Sequence, residues 1–435
     1  MTAEPVDLIL TANAVLTVDN AGTVVEAGAV AIRAGVIVAV GPAADLLTRY
    51  DPAELLESPG CLIAPGWVNT HTHLAMNLFR GAADDVTLEV FLERMIAAEM
   101  STLSAEAVAI GARAGIAECL AGGTTTALDM YWFPRTSRVV AAEAGFRLLN
   151  GPIFMGTGDP EGRDFAGMLA EARAILTDNR AERPDDDLWV MPHSAYLLDR
   201  AQLEAIRALA AEVGARVHTH ASESHGEVEL AGQVNGDRPV AVLDAAGLLT
   251  DRTMLAHAVH LSDAEIERIA ASGAAVAHCP VSNLKLGCGI ARVPELLAHN
   301  TTVALGTDGA ASAGALDMFA AVRMAALLHK GTSNDPTMIS AERAVRLGTV
   351  DGARALGLAD VGTIEAGMQA DLQVVRVDTL NAQPTRDPWS ALVYAATATD
   401  VRHTVAGGRV VLRDRILQTI DETSAVRALL EATAG

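Results

Sequence analysis

Hydrophobic patterning divides the chain into two textures. Near the N-terminus, apolar residues come in short alternating runs broken by turn residues: DLILTANAVLTVD, GAVAIRAGVIVAVG and the break at Gly41–Pro42. Period-two alternation puts successive side chains on opposite faces of a strand, so these runs predict short β-strands joined by hairpins. The same texture returns in ADLQVVRVD (370–378) and VRHTVAGGRVVLRDRIL (401–417), with Gly407–Gly408 as a tight turn. Together the two ends predict one small β-sandwich built from residues 1–62 and 368–435.

The middle, 63–367, alternates short apolar strands with amphipathic helices. Strands are expected at Trp189–Met191, Arg216–His218, Met254–Ala256, Ala275–Ala277 and Val303–Leu305. Helices are expected at Ala105–Leu120, stopped by Gly122–Gly123, and at Arg200–Val213, stopped by Gly214. A third, Ala264–Ala271, opens with the capping box Ser262-x-x-Glu265 and closes at Gly273. Strand–helix units repeated over this length predict a (β/α)8 barrel. The alternative is an open doubly wound sheet, but no Gly-rich phosphate fingerprint follows an early strand.

Composition narrows the function classes. The 435 residues are half hydrophobic, enough for a large core, and the net charge is −22. So acidic a surface repels nucleic acid and anionic membranes, which leaves a small molecule as the expected ligand. The four cysteines, Cys61, Cys119, Cys279 and Cys288, form no CxxC pair and read as free buried thiols of a cytoplasmic protein. MTAEPVDLIL lacks the basic and long apolar regions of a secretory leader, and no apolar run of about 18 residues is present.

Chemistry collects at the strand ends, where barrel enzymes carry their catalytic residues. The stretch NTHTHLAMNLFRG (69–81) places His71 and His73 on one strand face, where two neutral imidazoles can share a metal. Later strand ends supply His193, then His218, His220 and Glu223, then His257 and His260, then His278, and last Asp308 in ALGTDG. Eight of the twelve histidines fall in these six segments. His71, His73, His220 and Asp308 form a donor set suited to one divalent ion, zinc or iron(II), which would lower the pKa of a water. Glu223, three residues after His220, suits a proton shuttle, and His257 suits orientation of the attacking hydroxide. Plainer roles stand beside these. His218 reads as a buried structural residue, and His260 and His278 as core or supporting residues. His193 reads as substrate contact or structure. His225, His299, His329 and His403 read as surface or packing residues, and Asp308 would also serve as a helix N-cap.

PGWVNTHTH, the HxxE at His220–Glu223, LAHAVH, HCPVSNLKLG and GTDGAA together resemble the amidohydrolase superfamily. The branch they are most similar to contains the cytosine, guanine, triazine and S-adenosylhomocysteine/methylthioadenosine deaminases. The resemblance runs from Asp7 to about Leu417. It implies a distorted (β/α)8 barrel with a β-sandwich from both termini, and one cation on His71, His73, His220 and Asp308. It implies Glu223 and His257 as acid/base and polarising residues, and Asp308 as acceptor of a proton from water. It further implies a homodimer or homotetramer. A modified lysine bridging two metals is not expected, because His193 occupies the end of the fourth strand. Met76 and Phe79-Arg80-Gly81, DMYWFP (129–134) and PHSAYL (192–197) fit the purine-nucleoside pattern. The resemblance so nominates His193, Arg80, Glu99 and Trp132 for substrate contact, Glu99 only after a one-residue shift. Where carboxylate-binding relatives carry arginines, this chain has Ala142 and Asn150; where they carry paired asparagines, it has Ala313 and Gly314.

The expected function is metal-dependent hydrolytic deamination of an aminated heterocycle: a purine base or nucleoside, a pterin or a triazine. The alternatives are hydrolysis of another C–N bond or a C–Cl bond in a triazine or cyclic amide, and a non-catalytic binding or scaffold protein. Pocket-shaping loops are expected after strands one and three, near Arg80–Glu99 and Tyr131–Arg138.

Overall fold

The computed structural model describes residues 3–183 and 187–433. Both ends of the chain meet in one nine-stranded sheet. Glu4–Leu16 pairs with Gly28–Arg33 on one side and runs parallel to Tyr50–Pro65 on the other. Tyr50–Pro65 then carries Leu372–Arg376, which leads outward through Val401–Ala406 and Arg409–Arg413 to Ile416–Leu417. Alternation works as expected: Leu8, Leu10, Ile32, Ile37, Ile63, Leu372, Val374 and Val405 share one core. The expected sandwich is a single sheet curled on itself. Gly35 and Gly408 sit in hairpin turns at opposite ends of the strand order, yet a Cβ on Gly408 would lie 2.5 Å from the Gly35 Cα.

The C-terminal end departs from the all-strand reading. Glu422–Ala432 is a helix, N-capped by Asp421, whose side chain accepts from the Ser424 N–H. It packs on Ala105–Ala121 of the barrel instead of joining the sheet. The stretch ETSAVRALLEA carries good helix formers and no turn residue, so helical propensity prevails there.

The barrel has eight parallel strand positions. Six are unbroken: Trp67–His73, Thr124–Asp129, Trp189–Pro192, Arg216–Ala221, Thr253–His257 and Ala275–His278. The third and eighth are each broken. Arg147–Asn150 pairs with the second strand, and its continuation Ile153–Phe154 pairs with the fourth. Val303–Leu305 pairs with the seventh strand, and Asp308–Gly309 pairs with the first. Hydrogen bonding therefore divides the ring into a four-stranded and a six-stranded arc, joined through the two breaks. These breaks are the distortion expected of the barrel.

A glycine sits at each break because the backbones approach too closely for a side chain. A Cβ on Gly151 would lie 2.0 Å from the Trp189 carbonyl oxygen, and one on Gly306 would lie 2.9 Å from the His71 Cβ. The expected strand and helix centres hold, with ends moved by one to three residues: Arg216–Ala221 is longer than expected, while Arg200–Val213 and Val303–Leu305 match. All four cysteines are buried and free. Among the described residues, no helix is long and apolar enough to cross a membrane.

Replacing Gly151 by Ala is expected to destabilise the fold by about 1–3 kcal/mol, because a backbone must move. Gly232→Ala, inside a helix with open space around it, is expected to be neutral or stabilising by about 0.5–1 kcal/mol. Urea unfolding of the two variants measures the contrast.

Candidate metal centre

The site is built from hydrogen bonds on the far side of each imidazole. His73 Nδ1 lies 2.6 Å from the Met130 carbonyl oxygen and His220 Nδ1 lies 2.8 Å from that of His193. A carbonyl only accepts, so each Nδ1 carries the hydrogen and each Nε2 is left with its lone pair. His71 reaches the same state by one more step. His218 Nδ1 donates to the Met254 carbonyl at 3.1 Å, so His218 Nε2 accepts from His71 Nδ1 at 2.8 Å. His71 Nε2 is then buried with no hydrogen-bond partner. Donor atoms of His71, His73 and His220 lie within 4.8 Å of one another, as do those of His71, His257 and Asp308.

Asp308 closes the group. Its Oδ1 lies 3.1 Å from His73 Nε2 and 3.4 Å from His71 Nε2. Its Oδ2 accepts from Ser282 at 2.5 Å and Ser312 at 2.7 Å. Burial works against a charged carboxylate here, yet the His71 and His73 imidazoles beside it hold Asp308 well below the usual carboxylate range. Burial also opposes charge on His73, but the bond to Asp308 and its charge outweigh this and push His73 up to about 9. Burial pulls His71 down to about 3, and burial with the neighbouring His193 pulls His220 well below its ordinary value. A centre that presents neutral imidazoles and still draws a proton onto one of them is short of positive charge. Three nitrogens and one carboxylate oxygen fit a single divalent cation.

Two further titratable residues lie beside the centre. Glu223 is buried; burial first, then the charge of Asp308, raises its carboxyl well above the ordinary range. His257 Nδ1 lies 2.9 Å from the Asn283 amide oxygen and 3.6 Å from Glu223 Oε1. Backbone at the site is bent out of ordinary conformations: φ is +56° at Ser222, +72° at His257 and +63° at Asp308, a region non-glycine residues seldom enter.

A cavity opens beside the centre. Its lining includes His73, His193, His220, Glu223, His257 and Asp308, together with Glu99, Tyr131 and Trp132. Of the residues nominated for substrate contact, His193, Glu99 and Trp132 therefore face this space. The Glu99 oxygens accept from Tyr131 Oη at 2.7 Å and Trp132 Nε1 at 3.2 Å. Arg80 stands apart from the lining; its guanidinium is tied to Glu118 on the helix Ala105–Ala121 and to the Gly314 carbonyl. The helix Leu88–Thr102 lines the cavity with Leu88, Phe91, Leu92, Met95 and Ile96, so the pocket-shaping segment expected as a loop at Arg80–Glu99 is in large part helical. Tyr131–Arg138 follows the second barrel strand and not the third, because Thr124–Asp129 is the strand it leaves.

The supporting shell went unread in the sequence. Ser282 and Asn283 lie inside HCPVSN, but only the fold shows that one holds Asp308 and the other His257. Ser312 and Glu227 carried no assignment either. His218 does have the structural role expected of it. His278 and His329 are buried and pack against each other, while His225 stacks on His260 with ring centres 3.8 Å apart.

Comparison with known proteins places this architecture. A profile described as the amidohydrolase family matches residues 62–411, and one described as an imidazolonepropionase-like composite domain matches residues 28–53. A 5-methylthioadenosine/S-adenosylhomocysteine deaminase of Nitratidesulfovibrio vulgaris is 39% identical over 410 residues, 94% of this chain and 93% of that one. Its namesake in Halobacterium salinarum is 41% identical, covering 90% of this chain and 89% of its own. Among solved structures, an adenosine deaminase from Xanthomonas campestris with bound zinc superposes with a TM-score of 0.95 at 37% identity, over 100% of this chain and 99% of that one. A zinc complex of atrazine chlorohydrolase from Arthrobacter aurescens reaches 0.89 at 25% identity, over 98% and 100%. The fold and site define a metal-dependent hydrolase of the barrel type. The chain belongs to the amidohydrolase family.

Replacing His218 by Ala removes the acceptor that fixes His71 Nδ1–H. Metal affinity is expected to fall about 10–100-fold, as for other residues that hold a ligand in place. Competition against a chromogenic chelator measures it.

Proposed function

We propose that this chain, a metal-dependent hydrolytic deaminase of a nitrogen heterocycle, takes a 6-aminopurine nucleoside whose 5′ end carries no charge. The composition of the cavity carries this reading. Met76, Phe91, Met95, Ile96, Met130 and Met155 line it, and no Lys or Arg stands among the lining residues described. A carboxylate on the 5′ side, as in the S-adenosylhomocysteine named for the relatives, would be desolvated there without a cationic partner. Adenosine and 5′-methylthioadenosine offer the same amidine on a neutral scaffold, and relatives bear names for both.

His71, His73, His220 and Asp308 are the residues that would hold one divalent ion. Zinc is favoured by the zinc-bound Xanthomonas relative, and iron(II) suits the same donors. When bound, the ion supplies Lewis acidity, which brings the pKa of water down towards about 7. Asp308 takes a proton from the water that attacks the amino-bearing ring carbon. His257, steadied by Asn283, faces the growing charge. Glu223, whose carboxyl burial raises well above the ordinary range, passes its proton to the departing nitrogen, and ammonia leaves. Glu99, Trp132 and His193 contact the ligand from the cavity walls.

Zinc-loaded protein is expected to release ammonia from adenosine and 5′-methylthioadenosine. The kcat/KM for S-adenosylhomocysteine is expected to be lower by about 100-fold or more, since that ligand's charge goes unpaired. Equal kcat/KM values for the three substrates would remove the case for an uncharged 5′ end. Glu223→Gln is expected to lower kcat by about 10²–10⁴-fold with metal content unchanged. Full turnover in that variant would refute the proton role. Chelation should abolish turnover and added zinc should restore it.

A further inference from the structure

Glu227 has no place in the chemistry above, yet it is 3% exposed and its carboxylate lies directly behind Glu223. The spacing Ser224-x-x-Glu227 is that of a capping box, in which the glutamate would return to the N-cap N–H. Half of the box forms: Ser224 Oγ accepts from the Glu227 N–H at 3.0 Å. The carboxylate goes elsewhere. One oxygen accepts from the Ser222 N–H at 3.0 Å and the other from the Glu223 N–H. Those amides flank the point where the backbone turns with φ +56° at Ser222, immediately after strand Arg216–Ala221.

From this geometry we propose that Glu227 is a positioning residue for the reaction. It clamps the left-handed turn at Ser222 through two consecutive amides and so sets where the Glu223 carboxyl points. A carboxyl group whose two oxygens each accept from one of two adjacent N–H groups is a directional tie, and a buried one is hard to replace. The same turn is held a second time, because Ser224 Oγ also donates to Glu89 Oε1 at 3.2 Å on the helix Leu88–Thr102. Glu89 lies flush on Gly226, where an added Cβ would meet its Oε1 at 2.3 Å. The turn that carries the proposed acid is thus fastened by Glu227 and, through Ser224, by Glu89.

The inference rests on the reading of Glu223 as the proton carrier, and one set of variants separates the two. Glu227→Gln presents an oxygen to one amide and an NH2 to the other, so only one tie survives. On zinc-loaded protein with adenosine, this variant is expected to lose about 10–100-fold in kcat with KM and metal content little changed, as misplacement of a reacting group does. The double variant Glu223→Gln/Glu227→Gln should be no slower than Glu223→Gln alone, because Glu227 acts through Glu223. Adding Ser222→Gly to Glu227→Gln should recover part of kcat, because glycine takes the left-handed turn without strain. Hydrogen exchange at residues 221–228 supplies a readout independent of turnover and should quicken in Glu227→Gln.

Unchanged kcat, unchanged exchange or additive loss in the double variant overturns the proposal. A Glu227→Gln protein that fails to fold or to hold zinc also overturns it, because the residue then serves the fold and not the turn; Glu227→Asp, too short to reach both amides, repeats the test in a second background. Full activity in Glu223→Gln alone sinks the proton-carrier reading instead.

Discussion

The structure is organised around a deficit of positive charge in its interior. Three imidazole nitrogens and a carboxylate oxygen converge in a buried place, and each ring is turned by a bond on its opposite side. Buried lone pairs without a partner are costly, so the arrangement persists only if something cationic meets them. Much of the local architecture follows. Main-chain carbonyls of Met130, His193 and Met254 are aimed by strand ends to fix the rings, and Ser282 and Ser312 absorb the outer face of Asp308. Left-handed backbone at His257 and Asp308 is tolerated because these bonds over-determine it.

The barrel was readable because its punctuation is chemical. Gly214 and Gly273 stop helices by taking left-handed conformations, and Ser262 with Glu265 starts one through a reciprocal cap. The histidines and aspartate that the fold brings together were readable because few residue types bind metals and strand ends are where barrels display them. What escaped were features that depend on who meets whom in space. Gly151 and Gly306 look like any loop glycine, yet each marks a broken strand. Two Gly-bearing turns gave no sign that the terminal sheet would curl until they touched.

The supporting polar shell escaped for the same reason. No spacing rule joins Asn283 to His257 or Ser312 to Asp308, since a hydroxyl or amide hydrogen-bonds wherever the fold delivers it. Glu227 even carried a misleading signal, a capping-box spacing only half fulfilled. Arg80 shows the converse. The family resemblance made it a candidate, whereas in the fold Glu118 and the Gly314 carbonyl engage its guanidinium outside the cavity lining.

The divided ring has a mechanical corollary. His71, His73 and Asp308 ride on the four-stranded arc, while His193, His220 and His257 belong to the six-stranded one. An ion held by residues of both arcs would be a rivet across a seam that backbone bonding leaves open. Demetallation would then do more than silence an enzyme: it would free two arcs of a cylinder to breathe against each other, and tightness of grip would measure how rigid the cylinder is.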